Sequence, residues 1–245
     1  MKKSFVILLL LAGFWTNLFG QTERLSYKVY YNWGFIWING GTLTLSSQPD
    51  TLEGIPVVRL DGVGKTLPRW DWLFKVDDHY TSWCYPGNYL PALATKNTLE
   101  GGYKINNNYR FDYDKSVAYI RTEETRKPLE QDTVHLNYPM YDAMAATNKL
   151  RFYNFDAFTI GDTISLSIIM DGIVHRQKIV YAGLDTLLME NRQRVSAIKF
   201  TAIVTDNKLF SADDAIKVWV SNDKKRIPLY IEANITVGAI KIYYF

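Results

Sequence analysis

The chain has 245 residues, of which 47% are hydrophobic and 15% aromatic, with one cysteine and a formal net charge of +3. Such a chain is long enough to bury a core without covalent staples, and a lone thiol excludes an internal disulfide. The charge is partly a property of the leader: without residues 1–20 the balance is 26 basic against 25 acidic residues, and a near-neutral surface with no Lys/Arg run excludes a nucleic-acid footprint.

The leader opens with Lys2 and Lys3, continues in an apolar run from Phe5 to Phe14, and breaks at Thr16-Asn17 before Leu18-Phe19-Gly20. That is the pattern of a secretory signal peptide, and cleavage is expected after Gly20. The apolar run is about half of the ~20 residues that a spanning helix needs, so no stable transmembrane segment is expected after processing. No cysteine stands at the junction, which speaks against a lipid anchor of the bacterial lipoprotein kind. Residues 21–245 are expected to form a single β-rich domain.

Period-two alternation dominates that domain. Leu25, Tyr27, Val29 and Tyr31 fall on one face, with Ser26, Lys28 and Tyr30 on the other. Asn39-Gly40-Gly41 reads as a turn, after which Thr42–Leu45 resumes the alternation. Further strands are expected at Val57–Leu60, His79–Trp83, Tyr109–Tyr113 and Val117–Arg121, the last two joined through Asp114-Lys115. Leu67–Phe74 is short and aromatic and reads as a single helical turn. Pro139–Phe152 is the best helix: Pro139 suits a first helical position, Asp142 complements the dipole, and Ala143, Ala145 and Ala146 are strong helix formers. Thr163–Met170 and Ile173–Tyr181 form a hairpin, because Asp171-Gly172 takes the positive φ angles of a type I′ turn. Val195–Thr205, Ile216–Ser221, Leu229–Ile231 and Ile235–Phe245 complete the set. The fold class expected is mainly β: a curved antiparallel sheet or partly closed β-barrel, with one short helix packed on one face or end.

Catalytic constellations are sparse. There is no Gly-x-Ser-x-Gly elbow, and His79, His135 and His175 each stand outside any zinc-ligand spacing. Asp77 and His79 would share a strand face, but they read as a polar edge beside a turn rather than as a site. The pairs Glu123-Glu124 and Asp213-Asp214 read as solvated turns, and no calcium loop is visible. Cys84, in Ser82-Trp83-Cys84-Tyr85, reads as a buried, inert thiol. No catalytic residue, metal or cofactor is assigned. Aromatics are the unusual feature, since five tryptophans (33, 37, 70, 72 and 83) fall within one stretch. Trp33, Phe35 and Trp37 alternate, which would put three rings on one side of a strand, with Trp70 and Trp72 following. They read either as core or as the lining of an apolar pocket. Phe245 and Tyr243 fit the end of an outer-membrane barrel, but Lys241 breaks the series, and several strands fall short of the ~9–11 residues required.

Glu23–Val29, the Gly-rich stretch before Thr42–Leu45, Tyr141-Asp142-Ala143-Met144, Arg151, the segment Val218–Leu229 and Gly238–Lys241 together carry a resemblance. Its most specific part is Trp-x-Ser-x-Asp-x-x-Arg-x-Pro, at Trp219 to Pro228. The chain resembles the bacterial exported family known as domain of unknown function 3108. The resemblance implies an exported, mainly antiparallel β fold with a small helical element, and no established activity. The physical account of the motif is structural: Trp219 anchors a strand, Asn222-Asp223 turns the chain, and Pro228 opens the next strand. The reading is a periplasmic, non-enzymatic protein that binds an apolar or amphipathic ligand or a cell-envelope partner, with Trp33, Phe35, Trp37, Trp70 and Trp72 as candidate ligand contacts. The alternative is a structural or interaction module in envelope assembly, and a hydrolase or an outer-membrane barrel stands behind both.

Overall fold

Alternating apolar and polar residues form strands only if the turns between them permit pairing, and glycine decides where the first turn falls. In the computed structural model, which describes residues 22–203 and 216–245, β1 (Glu23–Trp33) and β2 (Ile36–Leu52) meet at Gly34-Phe35, with Gly34 at a φ of +56°. The Asn39-Gly40-Gly41 stretch, expected to be the turn, lies inside β2 instead. Asn39 pairs with Tyr30 and Gly41 with Val29, so Gly40 is the extra residue of a β-bulge. Gly41 is needed there, because a Cβ at this position would stand 2.5 Å from the Lys65 carbonyl oxygen.

The chain then runs through β3 (Ile55–Thr66), a 3-10 turn at Pro68–Trp70, β4 (Asp77–Cys84), β5 (Pro91–Glu100), β6 (Tyr103–Asp112), β7 (Val117–Glu124) and β8 (Glu130–His135). A two-residue strand β9 (Met140–Tyr141) precedes the helix α1 (Ala143–Arg151). After it come β10 (Thr163–Met170), β11 (Ile173–Leu188), β12 (Arg194–Ile203), β13 (Ile216–Ser221), β14 (Pro228–Asn234) and β15 (Ala239–Tyr244). The expected Asp171-Gly172 hairpin turn is present, with both residues at positive φ. The leader, the Asp213-Asp214 pair and the end of the Val195–Thr205 strand lie outside the described residues.

The fifteen strands of the described residues belong to one sheet, ordered β8 to β1 and then β15 back to β9. Neighbours pair antiparallel except β9, which runs parallel to β10. The sheet is rolled: Val58, Leu60 and Cys84 of β3–β4 share one core with Ile164, Leu166, Ile179, Ile198, Phe200 and Val220 of β10–β13, although many strands separate them. A second core joins Ala94, Tyr109, Phe111, Ala118 and Ile120 to Met140 and Ile169. The roll does not close, because β8 and β9 remain as its two edges. An outer-membrane barrel must be closed so that no backbone edge meets lipid, and this open sheet does not have that form. No described helix is long and apolar enough to cross a membrane.

α1 lies inside the roll against β3, β4, β9 and β10. It begins four residues later than Pro139, because Met140-Tyr141 pairs with Ser167-Ile168. Asp142 is therefore the N-cap rather than a first-turn residue: its carboxylate accepts from Met144 N (2.9 Å) and Ala145 N (3.3 Å). Its other oxygen accepts from the buried Ser82 hydroxyl at 2.6 Å, which fastens the helix to β4. Burial pushes the Asp142 carboxyl above its usual range, against the donors that hold it down. Cys84, 3.2 Å from Ser82 Oγ, is fully buried, and burial pushes its thiol up.

Candidate functional site

The helix leaves part of the inner face bare. Across β12, β13 and β14 the cross-strand row Phe200–Val218–Ile231 faces inward, flanked by Ala202–Ile216. Between this surface and the roof made by Leu150 and Phe155 lies an apolar cavity of about 260 Å³. Leu45 and Ile179 complete its walls, while Thr147, Arg151 and Arg226 supply its polar groups. The volume is just under the ~300–1,000 Å³ of sites for drug-sized ligands, so the space suits one slender chain.

The two arginines differ in their partners. Arg151, at the helix end, gives a bidentate pair to Glu23 (2.6 and 3.0 Å), and its Nε and Nη2 also donate to the Lys225 carbonyl. It ties α1 to β1 and to the β13–β14 turn. Arg226 makes no ion pair among the described residues, and its guanidinium lies over the Phe155 ring, 5.6 Å from the centroid. The turn that presents it is built on Asp223, whose Oδ1 accepts from Ser221 Oγ, Lys225 N and Arg226 N. Burial pushes the Asp223 carboxyl up, and these donors outweigh it and hold the group below its usual range. The Trp219–Pro228 motif is thus a strand anchor followed by a turn that aims an arginine at the cavity. Trp219 itself is buried on the outer face, with Tyr230 and Leu229, and its Nε1 donates to Asp185 at 2.8 Å.

None of the five candidate aromatic residues lines this cavity. Trp33 ends β1, Phe35 sits in the turn and Trp37 belongs to β2, so the three do not share one strand face as the alternation implied. They are 57%, 95% and 52% exposed. Trp70 is half-buried and donates from Nε1 to the Asn39 carbonyl at 2.9 Å, which brings its segment to the same end of the sheet, and Trp72 is 79% exposed. The structure brings Asp77 and His79 together at 2.8 Å, in an exposed place where Lys65 also reaches Asp77. Glu123 and Glu124 pair with Arg121 and Lys127 respectively. Among the described residues no three His, Cys, Asp or Glu side chains gather to hold a metal ion.

Sequence reading missed a polar patch on the inner face of the other arm. Thr98 and Asn107 are buried, and Asn107 donates to Thr122 Oγ1 while its Oδ1 has no partner among the described residues. Lys96 reaches Asp171 at the β10–β11 tip, and Asp171 N donates to the Tyr109 hydroxyl. Asp78 is pushed up to about 6, first by burial and then by the charge of Glu100, against a hydrogen bond from Leu99 N.

Among solved structures the fold resembles a β-barrel-like protein of domain of unknown function DUF1849 from Brucella abortus, with a TM-score of 0.54 at 9% identity. The likeness covers 93% of this chain and 97% of that one, and at such identity it bears on the fold alone. No curated protein matches the chain. The family described as "Protein of unknown function (DUF3108)" matches residues 26–244, nearly the whole length, and the chain belongs to it.

Proposed function

We propose that the protein is an exported, periplasmic, non-enzymatic carrier that holds an apolar or amphipathic chain between α1 and the inner face of β11–β14. The observation that carries this reading is the 260 Å³ cavity. Close packing leaves few voids larger than a water molecule in a protein interior, and an apolar cavity of that size is a place where an apolar guest is favoured over water. The export signal at residues 1–20 supports the compartment.

The test is native mass spectrometry of the protein purified from the periplasmic fraction, followed by organic extraction. An adduct released by extraction, and absent from an Ala202→Phe variant that fills the cavity, is the expected result. A bare mass in both, with no uptake of added fatty acid or fatty alcohol, would overturn the reading. A second reading, an interaction module in envelope assembly, is favoured by the other end of the sheet. There Trp33, Phe35, Trp37 and Trp72, with Leu73 and Phe74, leave a concentration of exposed apolar side chains of the kind that marks contact surfaces. In that reading Trp70 holds the segment in place for a partner.

A further inference from the structure

The cavity has two unlike ends, and the difference bears on what it holds. On β13 the lining residues run from Ile216 through Val218 to Val220, and Pro228, paired with Val220, lies two residues after Arg226. Four residues of strand at ~3.3 Å each separate the ends by about 13 Å. One end, at Ala202 and Ile216, is apolar, and the other carries a guanidinium. We propose that the ligand of this cavity is a single-chain amphiphile with an anionic head, a carboxylate or a phosphate monoester, held by Arg226. The proposal rests on the cavity reading above and specifies the chemistry of the guest.

Three observations converge on Arg226. The first is its unbalanced charge. Glu23 answers Arg151 with a bidentate pair, and no such partner answers Arg226 among the described residues. A half-buried cation beside apolar walls favours an anion, because it pays part of the desolvation cost of both. The second is position. The guanidinium carbon lies 5.6 Å from the Phe155 ring centroid, a cation–π contact that holds the group beside the cavity, and a guanidinium offers a fork of donors to a bidentate acceptor. The third is the backbone. Arg226 sits at a φ of +48°, a left-handed conformation that costs a side-chain-bearing residue ~1–2 kcal/mol and that glycine would adopt freely. The bonds from Lys225 N and Arg226 N to Asp223 hold that conformation, and it directs the side chain at the cavity.

The experiment is titration calorimetry of the full mature protein with dodecanoate, dodecyl phosphate and dodecanol, each below its micelle concentration. One or both anions should bind about tenfold more tightly than the alcohol, the advantage of a charge-assisted hydrogen bond. Preference between the two anions identifies the head. Arg226→Gln should erase the preference, so that the anions bind no more tightly than dodecanol does to the same variant, while Arg226→Lys, which keeps the charge but not the fork, should retain part of it. Equal binding of all three by the wild-type protein, or a preference that survives Arg226→Gln, would overturn the anionic head and leave the cavity reading standing. Binding of none would overturn both.

Discussion

The two arms of the roll each carry an apolar core, but one inward cross-strand row differs sharply between them. In one arm the cross-strand row is Phe200–Val218–Ile231, and in the other it is Lys96–Asn107–Thr122. The polar arm is partly satisfied from within: Asn107 Nδ2 donates to Thr122 and Lys96 reaches across to Asp171, although Asn107 Oδ1 has no partner among the described residues. The side chains of the apolar row cannot hydrogen-bond across the cavity, where Arg151 ties α1 to β1 and the β13–β14 turn, and between the helix and β12–β14 a void remains. An apolar chain entering the first arm would displace nothing that is hydrogen-bonded. The same chain against the second would strip water or partners from a charged lysine and an aspartate, which is expensive. The asymmetry therefore makes the apolar arm the better host for the proposed ligand and leaves polar contacts to the other.

The largest expected effect concerns the outside of the apolar arm. Trp219 is 8% exposed and hydrogen-bonded to Asp185, whereas Trp33 is more than half exposed. Trp219→Ala should cost about 3–5 kcal/mol, read as a drop in the urea midpoint, and Trp33→Ala should stay within about 0.5 kcal/mol. Similar losses at both positions would show that the β1–β2 tip is packed against something.

Next is the joint between the arms. Asp142→Ala removes an N-cap worth ~1 kcal/mol and leaves the Ser82 hydroxyl buried without its acceptor, at ~1–3 kcal/mol. The sum, about 2–4 kcal/mol, should appear in equilibrium unfolding, together with weaker ligand binding, because α1 roofs the cavity. Asp142→Asn keeps an acceptor for Met144 N and should be much milder. If the alanine and asparagine variants unfold alike, the cap is not what seats the helix.

Much of this arrangement was legible in the residues, and the failures have physical causes. Asp171-Gly172 announced its hairpin because few other pairs accept two positive φ angles. β5 went unread because its inward positions are Ala94, Lys96 and Thr98, which carry no hydrophobic period. β8 went unread because it is a charged edge strand, as edges tend to be. The tryptophan stretch was visible, but placing the turn at Asn39-Gly40-Gly41 instead of Gly34-Phe35 put three rings on one strand face. Arg226 was legible as part of a motif and not as a site, since its meaning comes from Phe155, which only the folded sheet brings beneath it.

A smaller, pH-dependent effect sharpens the account of the polar arm. The Asp78 carboxyl is raised to about 6 in the folded protein, above its ordinary value of 3.8. The folded state then binds the proton more tightly than the unfolded one, so the stability tied to this group is full below the ordinary value and is lost as the pH rises through about 6. Asp78→Asn removes the charge and keeps an acceptor for Leu99 N. Its melting temperature relative to wild type should therefore be higher at about pH 7.5 than at about pH 4. A difference independent of pH would mean that Asp78 is solvated and that this arm is wetter than its packing implies.

The smallest expected effect is the one that separates the two ends of the apolar arm. Phe35 is almost fully exposed at the tip of the β1–β2 hairpin and contributes nothing to the cavity wall. Burial supplies the free energy of an aromatic ring, at ~25 cal/mol per Å² of apolar surface removed from water, and this ring has almost none to lose. Phe35→Ser should therefore leave both the urea midpoint and the affinity for dodecanoate where they were. What it should change is association with a surface: sedimentation with envelope vesicles, or self-association at high concentration, should fall, because a solvated apolar tip is relieved by either contact. A loss of dodecanoate affinity would instead return the aromatic residues to the ligand site and take the cavity at β12–β14 out of it.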